Sequence, residues 1–132
     1  MTQFERDLAK FAKDTGVAVM DVIRGTALDM SKHIIMRTPV DTGRARGNWQ
    51  ATTGSSANGY TDRTDPTGST AISEATRTTE QMDEEDTFYL TNNLPYIRKL
   101  ENGDWSTQAP QGMVGVTVQE FQAAARRRAQ QA

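Results

Sequence analysis

The chain has 132 residues, enough for one domain but too few for two of ordinary size. Its 15 Lys and Arg against 17 Asp and Glu give a formal net charge of −2, without the basic excess typical of a dedicated nucleic-acid binder. The absence of cysteine and the single histidine exclude a disulfide framework, a thiolate nucleophile and a zinc site built on sulfur or on several imidazoles. No apolar run reaches the roughly 18–20 residues that span a membrane, so no membrane contact is expected. We therefore expect a single soluble domain over residues 1–132 without metal or other cofactor.

Two helices are predicted at the N-terminal end. Phe4 and Leu8 recur at helical spacing, and Thr2 is placed to cap the first turn. Gly16 is expected to end or bend this first helix. A longer helix is then predicted from Val17 to Arg37.

The longer helix has an apolar face wider than one neighbouring element normally covers. At 100° per residue, one side is formed by Val19, Val22, Ile23, Ala27, Met30 and Ile34, and Met20, Leu28 and Ile35 extend it. Leu28 and Ile35 would lie at an interface if a second subunit covers part of this face. Alternatively, the short first helix folds back over it.

A turn is predicted where the long helix ends. Pro39 ends the helix because proline disfavours the helical region for the residue before it. Asp41 is expected to accept backbone N–H bonds two residues on, and Gly43 to take a positive φ. A strand is expected over 48–52.

The middle of the chain, residues 53–87, is rich in small polar residues. We expect a mobile loop over about 53–66, a turn or helix start at 65–68 and a weakly amphipathic helix from Ala71 to Met82. A cluster of acids follows, formed by Glu80, Asp83, Glu84, Glu85 and Asp86. These acids could contact a partner or line a channel, but a solvated surface is the favoured interpretation.

The last third of the chain predicts a strand over 87–91, a turn, a short helix and a final helix. Asn92 and Pro95 mark the turn, and Gly103 ends the short helix. Residues 113–118 alternate like a strand, yet the alanines that follow favour a helix to about Gln130. The fold class is therefore predicted as α+β, with N-terminal helices, a small antiparallel sheet and a C-terminal helix.

None of the candidate catalytic groups forms a convincing constellation. His33 lies on the flank of the long apolar helix, and no G-x-S-x-G motif supplies a serine for it, so a structural role is favoured. Glu101 and Asp104 could be paired carboxylates of a small hydrolase, but they lie at a helix end without an evident cleft. No catalytic residue is predicted, and association is the favoured chemistry.

Two basic segments could hold anions. The segment 43–47 carries Arg44 and Arg46 between glycines but lacks the spacing of a phosphate-binding loop, so pairing with a neighbouring subunit explains it better. Arg126 to Arg128 place three charges in one helical turn, which could touch DNA phosphates or form a solvated helix end. A small DNA-contacting accessory protein is therefore the alternative function.

Two blocks of sequence agree in order and spacing with a known pattern. The first is Thr38-Pro-Val-Asp-Thr-Gly43 followed by Arg44 to Trp49. The second is Tyr89 to Ile97, then Leu100-Glu-Asn-Gly103, then a Pro-containing loop and Met113. Together they resemble the tailed-bacteriophage family of minor tail and neck proteins, variously called tail-completion, head–tail joining or Z-like minor tail proteins.

The resemblance implies a structural virion protein without enzymatic activity, made in the bacterial host cytoplasm. Such subunits form a ring, often six-fold, at the top of the tail, so the partners expected are further copies of the chain and the neighbouring connector and tail-tube proteins. DNA would pass through the ring without sequence-specific binding. The interface residues expected are Arg44, Arg46, Trp49, Tyr96 and Glu101, besides Leu28 and Ile35. Asn92, Pro95, Tyr96 and Glu101 would also hold the strand-to-helix turn, with Tyr96 either in the core or at the interface.

Overall fold

The computed structural model describes residues 2–103 and 106–131. In chain order its elements are α1 (Gln3–Thr15), α2 (Val19–Arg37), α3 (Arg44–Gly47), β1 (Gln50–Thr53), α4 (Ser69–Gln81), β2 (Phe88–Thr91), α5 (Ile97–Glu101) and α6 (Val114–Gln131). The strands pair antiparallel, with Gln50 opposite Thr91 and Thr53 opposite Phe88. The predicted α+β class, with N-terminal helices, a small antiparallel sheet and a C-terminal helix, is confirmed.

The ends of α1 and α2 follow local sequence signals. Thr2 Oγ1 accepts a hydrogen bond from the Glu5 backbone N–H at 3.1 Å, which caps α1. Gly16 ends α1 with a left-handed φ of 76°. Helix α2 ends at Arg37 as predicted, and Thr38 is extended, as the residue before a proline prefers.

Elements of the same chain cover much of the wide apolar face of α2. Helices α1, α4 and α6 each pack against it. The first helix therefore does fold back over α2. Ile35 is fully buried in the core, so its predicted place at a subunit interface is wrong. Leu28 is half-buried, and its interface role stays a prediction.

One buried cluster joins the helices to the sheet. Its members are Ile34, Ile35, Ala45, Trp49, Ala71, Leu94, Leu100, Ala109 and Met113. They come from α2, α3, the residue before β1, α4, the turn after β2, α5, and the residues that lead into α6, and Leu90 of β2 packs against them. The core therefore lies among the middle and C-terminal elements, whereas the N-terminal half of α2 is less completely covered.

Side chains bridge the segment between β1 and α4 to its neighbours. Asn48 donates to the Thr61 carbonyl at 3.1 Å and accepts from the Thr61 N–H at 2.8 Å. Arg63 donates to the Trp49 carbonyl at 3.0 Å and to the Glu74 carboxylate at 2.9 Å. The predicted mobility of this loop stays a prediction, but these bonds hold its second half at two points.

The C-terminal segment is helical rather than extended. Helix α6 begins at Val114, and Thr117 and Ala125 lie on its buried side. The helix expected from the alanine content is therefore confirmed. Among the described residues, no helix is both long and apolar enough to cross a membrane.

Candidate interaction surface

Arg46 binds three backbone carbonyls at and near the C-terminal end of α2. Its Nε donates to the Thr38 carbonyl at 2.9 Å, one Nη to the Met36 carbonyl at 2.9 Å and the other to the Pro66 carbonyl at 2.7 Å. The last carbonyls of a helix lack partners within the helix and carry partial negative charge, which suits a guanidinium. The prediction that Arg46 presents its donors to a neighbouring subunit is therefore wrong.

Trp49 belongs to the core rather than to an interface. Its side chain is 5% exposed, and its indole Nε1 donates to Thr38 Oγ1 at 2.8 Å. The Thr38 hydroxyl in turn donates to the Ile34 carbonyl at 2.8 Å. The predicted interface role of Trp49 is wrong, because a buried indole needs a partner for its N–H and finds it inside the chain.

The second motif block is hydrogen-bonded to the first. Asn92 Nδ2 donates to the Ala45 carbonyl at 2.9 Å, and its Oδ1 accepts from the Leu94 N–H at 3.2 Å. Pro95 follows at the exposed surface of this turn, and Tyr96 is half-buried against the core. Asn92 therefore holds the strand-to-helix turn as predicted, and Tyr96 contributes to the core.

Gly43 makes the turn after α2 possible. Its φ is +90°, and a Cβ at this position would lie 2.5 Å from the backbone nitrogen of Pro66. No side chain fits there, so the predicted positive φ is confirmed. The side-chain acceptor in this turn is Thr42 Oγ1, which accepts from the Arg44 N–H at 3.3 Å; the exposed Asp41 does not take the role predicted for it.

Glu101 caps the N-terminus of α6. Its Oε1 accepts from the backbone N–H groups of Met113 at 3.1 Å and Val114 at 2.9 Å, and its Oε2 accepts from Gly115 at 3.0 Å. A carboxylate satisfies unpaired N–H groups and complements the helix dipole there. Glu101 is half-buried, so the interface role predicted for it stays a prediction, and its partner in the hydrolase hypothesis, Asp104, lies outside the described residues.

The loop that precedes α6 packs closely onto this cap. A Cβ on Gly103, which has φ +79°, would lie 2.2 Å from the Pro110 carbonyl oxygen, and one on Gly112 would lie 2.2 Å from the Glu101 carbonyl oxygen. Both backbone approaches require glycine. The turn role predicted for Gly103 is therefore confirmed.

Arg44 keeps its place on the surface. Its guanidinium lies 5.4 Å from the centroid of the Tyr60 ring, and one Nη is 3.7 Å from the Asp62 carboxylate. It borders a cleft of about 530 Å³ between the turn after α2 and α5, to which Asp41 and Tyr96 also contribute. The interface role of Arg44 stays a prediction, and this surface, the Arg44 cleft, is where it would act.

A second and more apolar depression lies between α1, α2 and β2, and we call it the β2 groove. Its volume is about 450 Å³. Its apolar lining consists of Phe4, Leu8, Met20, Ile23, Ala27, Met30, Ile34, Met82, Phe88 and Leu90. Its acidic lining consists of Glu5, Asp83, Glu84 and Asp86. Exposed acids therefore border an apolar depression that the described part of the chain leaves open.

The surface between α2 and α6 is held by an ion pair and a ring contact. Arg37 donates to both oxygens of the Glu120 carboxylate, at 2.6 and 2.7 Å. The hydrogen bond from Arg37 lowers the pKa of Glu120 below its usual range, and the Arg37 and His33 charges act in the same direction. His33 is exposed and meets the Phe121 ring edge-on, with the centroids 5.2 Å apart. This arrangement joins two helices, as the structural interpretation of His33 expects.

Comparison of the chain with models of known protein families, with curated proteins and with solved structures found no match. Among residues 2–103 and 106–131, no group of three or more acids or histidines is arranged to hold a metal ion. The sequence reasoning missed the β2 groove. The signal available for it was the wide apolar face of α2, whose N-terminal half lines the groove.

Proposed function

We propose that this protein is a structural subunit of a tailed-phage virion that forms a ring at the head–tail interface. In that position it would complete the tail, terminate it or join it to the connector. The resemblance of residues 38–49 and 89–113 to minor tail and neck proteins suggests this function. The structural observation that supports the proposal is the contact between these two blocks, through a hydrogen bond and a shared core cluster.

The contacts between the two blocks support the proposal because they give a physical reason for both blocks to occur together. Asn92 reaches the Ala45 carbonyl, and Trp49 of the first block packs in the same core cluster as Leu94 and Leu100 of the second. A family whose members share this framework would retain both blocks at matched spacing. The outer surfaces would then be free to differ with the partner.

The distribution of apolar surface also supports an assembling subunit. Val19 and Met36 on α2 are 41% and 48% exposed, and the β2 groove is open and mainly apolar. Apolar surface that one chain leaves uncovered commonly marks a contact with another chain. In a ring, the same subunit surface meets a different surface of its neighbour around a closed rotation axis.

The near-neutral charge fits a ring through which DNA moves. The net charge is −2, and five acids are exposed between Glu80 and Asp86. A subunit without a basic excess would bind the DNA backbone only weakly, since affinity for DNA comes mainly from cations that neutralise phosphates. DNA would then slide past the subunits.

A small DNA-contacting accessory protein is the second candidate. Arg126 and Arg127 are both exposed on α6, while the side chain of Arg128 lies outside the part of the chain that the structure describes. The segment 43–47 contains two arginines predicted to contact DNA. The Arg46 guanidinium donates to backbone carbonyls of its own chain, and only Arg44 faces outward. A gel-shift titration separates the candidates. Binding that weakens steeply with salt would favour the accessory role.

Microscopy of particles tests the virion proposal. An early stop codon is introduced into this gene in the phage or prophage genome that carries it, and the lysate is examined by negative stain. We expect filled heads with unjoined tails, or tails of abnormal length, and rescue by the gene supplied from a plasmid. Normal infectious particles would overturn the proposal.

A further inference from the structure

The outer edge of β2 offers a row of unpaired backbone groups. Gly54 N–H donates to the Thr87 carbonyl at 3.0 Å, so in the antiparallel ladder the residues that bond to β1 are Thr87, Tyr89 and Thr91. The N–H and C=O groups of Phe88 and Leu90 must then point away from β1. No other residue that the structure describes bonds to them.

The opposite edge of the sheet is covered by helix α4, so the two edges differ. The Ala51 N–H on the outer side of β1 donates to Glu74 Oε1 at 3.2 Å, and the Thr78 hydroxyl, which donates to the Glu74 carbonyl at 2.8 Å, lies 3.4 Å from the Ala51 carbonyl oxygen. Helix α4 thus packs along the outer edge of β1 and satisfies the Ala51 N–H with a side chain. An uncovered strand edge is a template for pairing with another chain unless it is blocked by charge, proline or a bulge. In β2, the sequence Phe-Tyr-Leu-Thr supplies none of these.

The β2 groove lies beside this open edge. Phe88 and Leu90 project their half-buried side chains into it, and Phe4 and Leu8 of α1 and Ile23 of α2 form other parts of its lining. Strand addition requires both features, because backbone bonds provide affinity and a pocket for alternate side chains provides specificity. The edge and the groove therefore form one surface suited to an extended segment.

The charge around the groove indicates what that segment carries. Glu5, Asp83, Glu84 and Asp86 border the groove, and none of the described residues in its lining is a Lys or Arg. We propose that the outer edge of β2 receives an extended segment of a partner protein as a third strand. The segment would have apolar residues at alternate positions and lysine or arginine at its flanks. The surface would take such a segment whether or not the protein belongs to a virion.

A designed peptide tests this inference on the full chain. The probe is the capped peptide K-K-T-V-T-V-T-V-K-K, titrated into labelled protein while amide shifts and amide hydrogen exchange are followed. We expect shifts confined to β2 and the groove lining, and exchange at Phe88 and Leu90 slowed at least roughly tenfold at saturation, since exchange requires an unpaired amide. No binding up to about 1 mM peptide, or shifts centred elsewhere, would overturn the proposal.

Two controls distinguish strand addition from nonspecific binding of the peptide. The same peptide with N-methylated valines cannot pair with an edge and should lose binding; undiminished binding would overturn the proposal. Glu84→Lys at the groove should weaken peptide binding about two- to five-fold, whereas Glu80→Lys, an exposed acid of α4 outside the groove, should leave it unchanged. Equal effects of these two variants would also overturn it. All these assays use the free protein, so their failure leaves the particle microscopy as a separate test of the virion proposal.

Discussion

Replacing Glu101 by alanine removes the cap of α6 and leaves three backbone N–H groups without their carboxylate. The distances are 2.9, 3.0 and 3.1 Å, and the bonds to Met113 and Val114 are part-buried while that to Gly115 is exposed. A part-buried hydrogen bond to a charged group contributes about 1.5–3 kcal/mol, but here two bonds share one oxygen and the third is screened by water. We therefore expect a loss of about 2–4 kcal/mol of unfolding free energy. For a chain of this length, this corresponds to a fall in Tm of roughly 6–15 °C.

Urea denaturation followed by circular dichroism measures this loss. Glu101→Gln keeps one oxygen for Met113 and Val114 but turns its amide toward the Gly115 N–H, so about half the loss is expected. Glu80→Ala, at an exposed acid of α4, is the matched control and should change stability by less than about 0.5 kcal/mol. If Glu101→Ala were as stable as this control, the capping role would be refuted.

Three further predictions follow from other contacts. Arg46→Met should lose about 2–4 kcal/mol in urea denaturation because three carbonyls lose a charged donor; unchanged stability would restore an interface role. Gly43→Val should fail to fold, since the φ of Gly43 is +90° and a Cβ there would lie 2.5 Å from the Pro66 backbone nitrogen. Gly25→Ala, in open space on α2, should raise the free energy of unfolding by about 0.5–1 kcal/mol. Similar yields and Tm values for these two variants would contradict the turn role of Gly43. Arg37 lowers the pKa of Glu120. The contribution of this ion pair to the free energy of unfolding should therefore be complete at pH values above the ordinary carboxyl pKa, and it should be lost as the pH falls through the lowered pKa of Glu120. A carboxyl NMR titration that finds an unshifted or raised pKa would contradict it.

Local signals in the sequence were sufficient to predict most of the elements. Helix α1 begins after Thr2 and ends before Gly16, and α2 ends before Thr38, which precedes Pro39. These limits could be predicted because capping bonds and the steric effect of proline act within a few residues. The same holds for Gly43, whose positive φ follows from the turn around it. The α+β class could be predicted because it depends on such short-range preferences and on hydrophobic periodicity.

The roles of the charged and aromatic side chains in the motif blocks could not be predicted in the same way. Arg46 binds the carbonyl of Pro66, 20 residues away, and Glu101 binds N–H groups 12 to 14 residues away. A sequence shows the charge but not the distant backbone group that satisfies it, and it therefore favours partners at an interface. The chain's own folded backbone supplies those partners instead.

The open edge of β2 could not be predicted because it depends on which residues of an antiparallel ladder bond to each other. A shift of register by one residue would turn Phe88 and Leu90 toward the solvent face and Tyr89 toward the core. The bond from the Ala51 N–H to Glu74 on the outer edge of β1 likewise requires α4 to pack beside the sheet. Both are tertiary features.

We propose that residues 38–49 belong to the internal framework and that the outer edge of β2 is an interaction surface. The most direct test compares amide hydrogen exchange in the free protein with that in assembled particles. We predict that the outward-facing amides of Phe88 and Leu90 exchange rapidly in the free protein and become protected in particles, while those of Gly47 and Trp49, which bond to the Gly43 and Arg46 carbonyls, are protected in both states. Unchanged exchange over 86–92 together with new protection over 38–49 would contradict it, because the first motif block would then be the contact surface.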